Sequence, residues 1–150
     1  MAYGNVQLKN LDETANSLFE RESARATWNQ ILAHLTHHCT CLAQLNDENC
    51  GSGLHGEHYG GLTEVPVELV CGTESRGQDF DSAFRPTRSH NRERWLSVAL
   101  ARLQGRDLPP VTLILKDGLY YVRDGHHRVS VARALGEAFI EAEVIVWESA

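Results

Sequence analysis

A chain of 150 residues with 42% apolar and 23% charged side chains is long enough to bury a core and has the balance of a globular protein. Its formal net charge of −6 argues against broad electrostatic capture of a nucleic-acid backbone. No run approaches the ~20 apolar residues that span a bilayer, and Met1-Ala-Tyr-Gly-Asn-Val-Gln7 lacks the basic-then-apolar layout of a signal peptide, so a cytoplasmic protein with no membrane partner is expected.

Residues 11–45 carry Leu11, Ala15, Leu18, Phe19, Ile31, Leu32, Leu35, Cys39, Leu42 and Leu45, mostly three or four apart. That is the helical period and predicts one long or two broken helices, with Asp12 as a cap and Glu13, Glu20 and Glu22 acidic in the early turns. The plain reading is an amphipathic cover on the core. The sharper one is a partner face, which makes a homodimer through this N-terminal helical arm an expectation.

Cys39, Cys41, Cys50 and Cys71 would be free thiols or metal ligands in a reducing cytoplasm. With His37, His38, His55 and His58, the first three bring zinc-type ligands close together. However, Cys39-Thr-Cys41 is not the Cys-x-x-Cys knuckle, and the loop that follows is rich in glycine, so no metal is assigned.

Residues 46–62 read as a linker, which divides the chain into an arm and linker over 1–62 and a domain over 63–150. Val65, Val67, Leu69 and Cys71 alternate as a strand, with Pro66 at its start or on a sheet edge and Gly72 at its end. A polar loop follows, carrying Arg76, Arg85 and Arg88 as cations and Asp79 and Asp81 as groups for a metal or a proton. Residues 90–104 predict a helix that buries Trp95, Val98, Ala99 and Leu103, stopped by Gly105 and Pro109-Pro110. Residues 111–122 form a hairpin about Asp117-Gly118. Phe139–Trp147 is a last strand with Ile140, Ala142, Val144 and Val146 on one face. The order predicts an α+β or compact α/β layout with one small mixed sheet.

Between hairpin and last strand lies Tyr121-Val-Arg-Asp-Gly-His-His-Arg-Val-Ser-Val-Ala-Arg-Ala-Leu-Gly136. It predicts a strand end, a sharp turn at Gly125 with Asp124 as N-cap, and a helix from His126 to Leu135 stopped by Gly136. Such a helix start points N–H groups and a positive dipole end outward and suits phosphate. Arg128 on its first turn offers a two-pronged contact to phosphate or carboxylate, and His126, His127 and Asp124 crowd the same corner. The bland alternative is a capped turn in which Arg128 pairs with Asp124 or Glu137 and both histidines face solvent.

Asp124-Gly-His-His-Arg128 resembles the Gly-x-x-Arg phosphate-binding motif of the ParB/sulfiredoxin fold, whose nearest look-alikes include archaeal-type free-serine kinases and ParB-like proteins. The resemblance covers about residues 63–148 and implies an α+β fold, a small mixed β-sheet with flanking helices, here preceded by the helical arm. It implies a nucleotide-binding domain in which Gly125, His126, His127, Arg128 and Arg76 hold phosphates. Arg76 and Phe80 match positions in the first ParB box, although the Asn-Pro and Gln-Pro pairs usual there are missing. The activity implied is phosphotransfer or nucleotide hydrolysis on ATP, ADP or CTP with Mg2+, or on another phosphorylated small molecule. His127 and His126 would be proton carriers, Asp124 would be a further catalytic group, and an upstream acid (Glu68, Glu74, Asp79 or Asp81) would act as base. The alternatives are a non-enzymatic, nucleotide-responsive or DNA-associated module and a ParB-like nuclease. Against DNA binding by this chain alone stand its charge and the lack of a recognisable recognition helix. Sulfiredoxin chemistry needs a cysteine where His126 stands.

Overall fold

The computed structural model describes residues 3–45, 56–75 and 78–148. Asp117 and Gly118 take positive φ, 51° and 79°, as a two-residue hairpin turn requires. They fold β4 (Val111–Lys116) back on β5 (Leu119–Asp124). This hairpin is the middle of a six-stranded mixed sheet. Beside β5, β3 (Val70–Thr73) runs parallel, and the short β1 (Ala43–Gln44) runs parallel outside it. Beside β4, β6 (Phe139–Trp147) runs parallel, and β2 (Glu57–Pro66) forms the far edge antiparallel to it.

Three helices accompany the sheet: α1 (Tyr3–Thr36), α2 (Arg92–Leu103) and α3 (His126–Ala134). Trp95 joins all three. Its ring is wholly buried and meets Phe19 of α1 edge-on at 5.4 Å, while its Nε1–H donates to Ser130 Oγ of α3 at 2.8 Å. Leu113, Val122, Ala142 and Val144 of the sheet belong to the same core. The class expected from the element order, α+β with a small mixed sheet, flanking helices and an N-terminal helix, is the one the chain adopts.

Several local expectations are corrected. Asp12 lies inside α1, which begins earlier and runs unbroken to Thr36. Its buried line is Ala15, Phe19, Glu22 and Ala26, spaced four, three and four. Ile31, Leu32 and Leu35 stand in solvent, and Leu42 and Leu45 are buried from beyond the helix. The single strand expected around Val65–Cys71 is two strands on opposite sides of the hairpin. Pro66 lies on an edge strand of the sheet, as one of its two readings had it, but at the end of β2 and not at its start, and a 3-10 turn, Val67–Leu69, carries the chain away. Arg133 of α3 holds that turn by donating to the carbonyls of Val67 (3.2 Å) and Val70 (2.6 Å). Gly72 lies within β3, where a Cβ would strike the Ala43 carbonyl of β1. Residues 57–62, expected in the linker, belong to β2, so the boundary at 62 falls inside a strand. The N-cap position of α3 is Gly125 instead of Asp124, which is the last residue of β5.

Candidate functional site

β3 and β5 run parallel and end side by side, which brings Thr73, Ser75 and Asp124 to one corner of the sheet. The start of α3 and the first half of α2 close over that corner and leave a cleft of about 500 Å³. Gly125, His126, His127 and Arg128 all line it, together with Ser75, Asp79, Phe80 and Arg94. The structure therefore brings the expected motif residues together at one concavity.

Gly125 makes the corner possible. Its φ is 101°, and an added Cβ would lie 2.6 Å from Val111 Cγ1. Its carbonyl accepts the Val129 N–H at 3.0 Å, the first bond of α3, and no side chain caps the helix. A helix start leaves its first-turn N–H groups without intrahelical acceptors, and these residues line the cleft.

His126 is buried. Its Nε2 lies 2.6 Å from Thr73 Oγ1, and its ring stacks on Phe80 with centroids 6.1 Å apart. The same hydroxyl receives the Ser75 N–H at 3.2 Å, so His126 braces the turn that follows β3. His127 meets the Phe80 ring edge-on at 5.3 Å. Thr73→Val keeps the volume but removes the oxygen shared by His126 and Ser75. A loss of about 1–2 kcal/mol is expected, read as a lower urea midpoint at unchanged slope.

Arg128 does not offer its fork to the cleft. Nη1 donates to the carbonyls of Pro109 and Pro110, and Nη2 donates to Asp124 Oδ2 at 2.9 Å. The guanidinium staples the first turn of α3 to residues 109–110 and to the end of β5. The pairing with Asp124, weighed from the sequence as the bland alternative, is present. Arg128, from which a two-pronged phosphate contact was expected, makes these internal bonds because carbonyl acceptors eighteen and nineteen residues earlier in the chain are folded against it.

Arg94, Arg123 and Arg128 all line the cleft, and they differ in what already holds them. The least engaged is Arg94. It lies on the first turn of α2, is exposed, and has no ion pair or hydrogen bond among the described residues. Sequence reading put Arg94 on this helix only by its spacing. No sequence signal marks it: that Arg94 lines the cleft together with Val98, one turn on, is set by the packing of α2. Arg123 is a cation of another kind. Glu74 grips it at 2.9 and 3.1 Å and Glu57 at 2.8 Å, and these carboxylates push its guanidinium still further above its ordinary range.

The candidate acids separate as well. Asp79 lines the cleft, 3.7 Å from His90 Nε2 and 3.9 Å from Arg88 Nε. Glu74 is committed to Arg123. Asp81 is buried, its Oδ1 accepting the N–H groups of Ala83 and Arg85, both at 2.9 Å. Glu68 lines a different concavity, beside Arg133. Arg76 lies outside the described residues, as do Cys50 and His55. His37, His38, Cys39 and Cys41 line one hollow where α1 ends, whereas His58 faces Glu148 at 3.3 Å. Among the described residues, no three His, Cys, Asp or Glu side chains are placed to hold a metal, and no helix is long and apolar enough to cross a membrane.

No protein-family model matches the chain, and no curated protein does. Among solved structures the chain is similar to sulfiredoxin from Arabidopsis thaliana. The two are 25% identical, the match covers 55% of this chain and 82% of that one, and the TM-score is 0.41.

Proposed function

We propose that the cleft at the start of α3 binds the phosphate groups of a nucleotide (ATP, ADP or CTP) or of another phosphorylated small molecule, and that the protein is a phosphotransferase or phosphohydrolase. One observation carries this reading. An exposed arginine with no partner among the described residues, Arg94, faces a glycine-initiated helix start across a cleft of about 500 Å³, in a chain of net charge −6. Dipole and guanidinium act on an anion in the same sense.

The roles follow from the positions. Phosphate meets the amides of α3 and the fork of Arg94. Gly125 and Arg128 hold the helix start in place, and His126 holds the Ser75 turn through Thr73. His127, on the cleft wall, is the proton carrier. Asp79 and Asp124 are the carboxylates available for Mg2+, which would supply neutralisation of charge between phosphates. Because two carboxylates share the cleft with the incoming anion, nucleotide affinity is expected to rise with Mg2+.

The test is a thermal-shift series with ATP, ADP and CTP, with and without Mg2+, on wild type, Arg94→Ala and Arg128→Ala. At ligand ~100-fold above Kd, binding stabilises by about 2.7 kcal/mol, a rise in Tm of several degrees. Arg94→Ala is expected to keep the ligand-free Tm and lose about tenfold or more in affinity. Arg128→Ala is expected to lower the ligand-free Tm. If no nucleotide stabilises the wild type, or Arg94→Ala responds as the wild type does, the reading fails. Turnover of the nucleotide by the wild type, to free phosphate with water as acceptor or to a phosphorylated product when small hydroxyl acceptors are supplied, then separates enzyme from binding module.

A further inference from the structure

We propose that the C-terminal half of α1 is a dimerisation face, and that its occupant is the same helix of a second copy of this chain, running antiparallel. The inference does not depend on the nucleotide reading.

Trp28, Ile31, Leu32 and Leu35 are 65%, 46%, 53% and 74% exposed. Their spacing, i, i+3, i+4 and i+7, makes them one stripe. At 100° per residue, this stripe lies on the opposite side of the helix from the core-facing line of Ala15, Phe19, Glu22 and Ala26. Among the described residues, the hydrophobic core and the side chains packed on it do not include the stripe. It offers roughly 400–500 Å² of apolar side-chain surface, the size at which a patch on a monomer is commonly functional.

Two features point to a second copy. First, the segment from Ala26 to Thr36 contains no Asp, Glu, Lys or Arg, in a chain that is 23% charged. Like can therefore meet like here without opposing charges of one sign. Second, the stripe is self-complementary. A two-fold axis between Ile31 and Leu32 sets Trp28 against the partner's Leu35 and Ile31 against the partner's Leu32. All four side chains are then covered in both copies, as a closed isologous contact demands. The four residues from each copy together bury on the order of 900 Å², and the flanking helix surface carries the contact toward the ~1,200 Å² at which stable interfaces begin. The helix supercoil geometry for such a pair is the ordinary one of 3-4 packing. None of these residues lines the nucleotide cleft.

The test uses the full chain in reducing buffer, which removes any contribution from Cys39 and Cys41. Sedimentation over roughly 1–100 µM is expected to show a monomer–dimer equilibrium for wild type. Trp28→Glu alone and Leu35→Lys alone are each expected to be monomeric over that range, with far-UV circular dichroism unchanged. An equimolar mixture of the two variants is expected to dimerise again. One of the two Trp28–Leu35 contacts then becomes Glu opposite Lys, and the other stays native. A monomeric wild type overturns the proposal, and so does a dimer that survives either substitution. A mixture that stays monomeric overturns the antiparallel register.

Discussion

Gly125→Ala is expected to destabilise the protein by about 3 kcal/mol and to abolish the anion binding proposed for the cleft. Two costs combine. A φ of 101° lies where L side chains are strained, at roughly 1–3 kcal/mol. The new Cβ would also lie 2.6 Å from Val111 Cγ1 and 2.9 Å from Val111 Cβ. Val111 is buried in β4 and cannot give way without moving the sheet. Relief comes only by shifting the start of α3, which is the element that lines the cleft. Gly118→Ala is the control. Its φ is 79°, but nothing lies within 4 Å of the added methyl, so only the backbone cost of about 1 kcal/mol remains. Urea unfolding of the two variants decides the matter, and equal losses would mean that the Val111 contact carries no weight.

Trp95→Ala is expected to cost about 4 kcal/mol, the upper range for deleting a buried aromatic side chain. The ring has no exposed surface, and it is the contact at which α1, α2 and α3 meet. For a chain of this length the Tm should fall by on the order of 10 °C. Trp95→Phe keeps most of the volume but leaves Ser130 Oγ without its donor, at about 1–2 kcal/mol. Calorimetry of the pair separates packing from hydrogen bonding. Should the alanine variant lose no more than the phenylalanine one, the ring is not the keystone described here.

How far the chain could be read from its residues varied with the range of the forces involved. α2, the Asp117-Gly118 hairpin, the alternation of β6 and the stop of α3 at Gly136 were legible, because backbone preferences and side-chain periods are local. The meeting of Gly125, His126, His127 and Arg128 at a helix start was legible for the same reason. The split of the 63–71 run was not, since Pro66 is compatible with either end of a strand. What settles it is Arg133, 63 residues from Val70, binding the carbonyls of the intervening turn. The long N-terminal helix was legible as a helix, but the inward-facing part of its stripe was not. Periodicity reports a face and is silent on whether anything lies against it.

By itself, then, the sequence determined the conformations set by local forces: the helices, the Asp117-Gly118 hairpin, the last strand, and the left-handed glycine at which a strand turns into a helix. The tertiary structure alone decided which arginine is available. Arg128 has the motif position, yet carbonyls and a carboxylate folded around it engage both of its Nη groups. Arg94 has no motif, yet faces the cleft without a partner among the described residues. The reason is physical: a guanidinium binds whatever acceptors the fold brings within about 3 Å, and residues distant in the chain provide them.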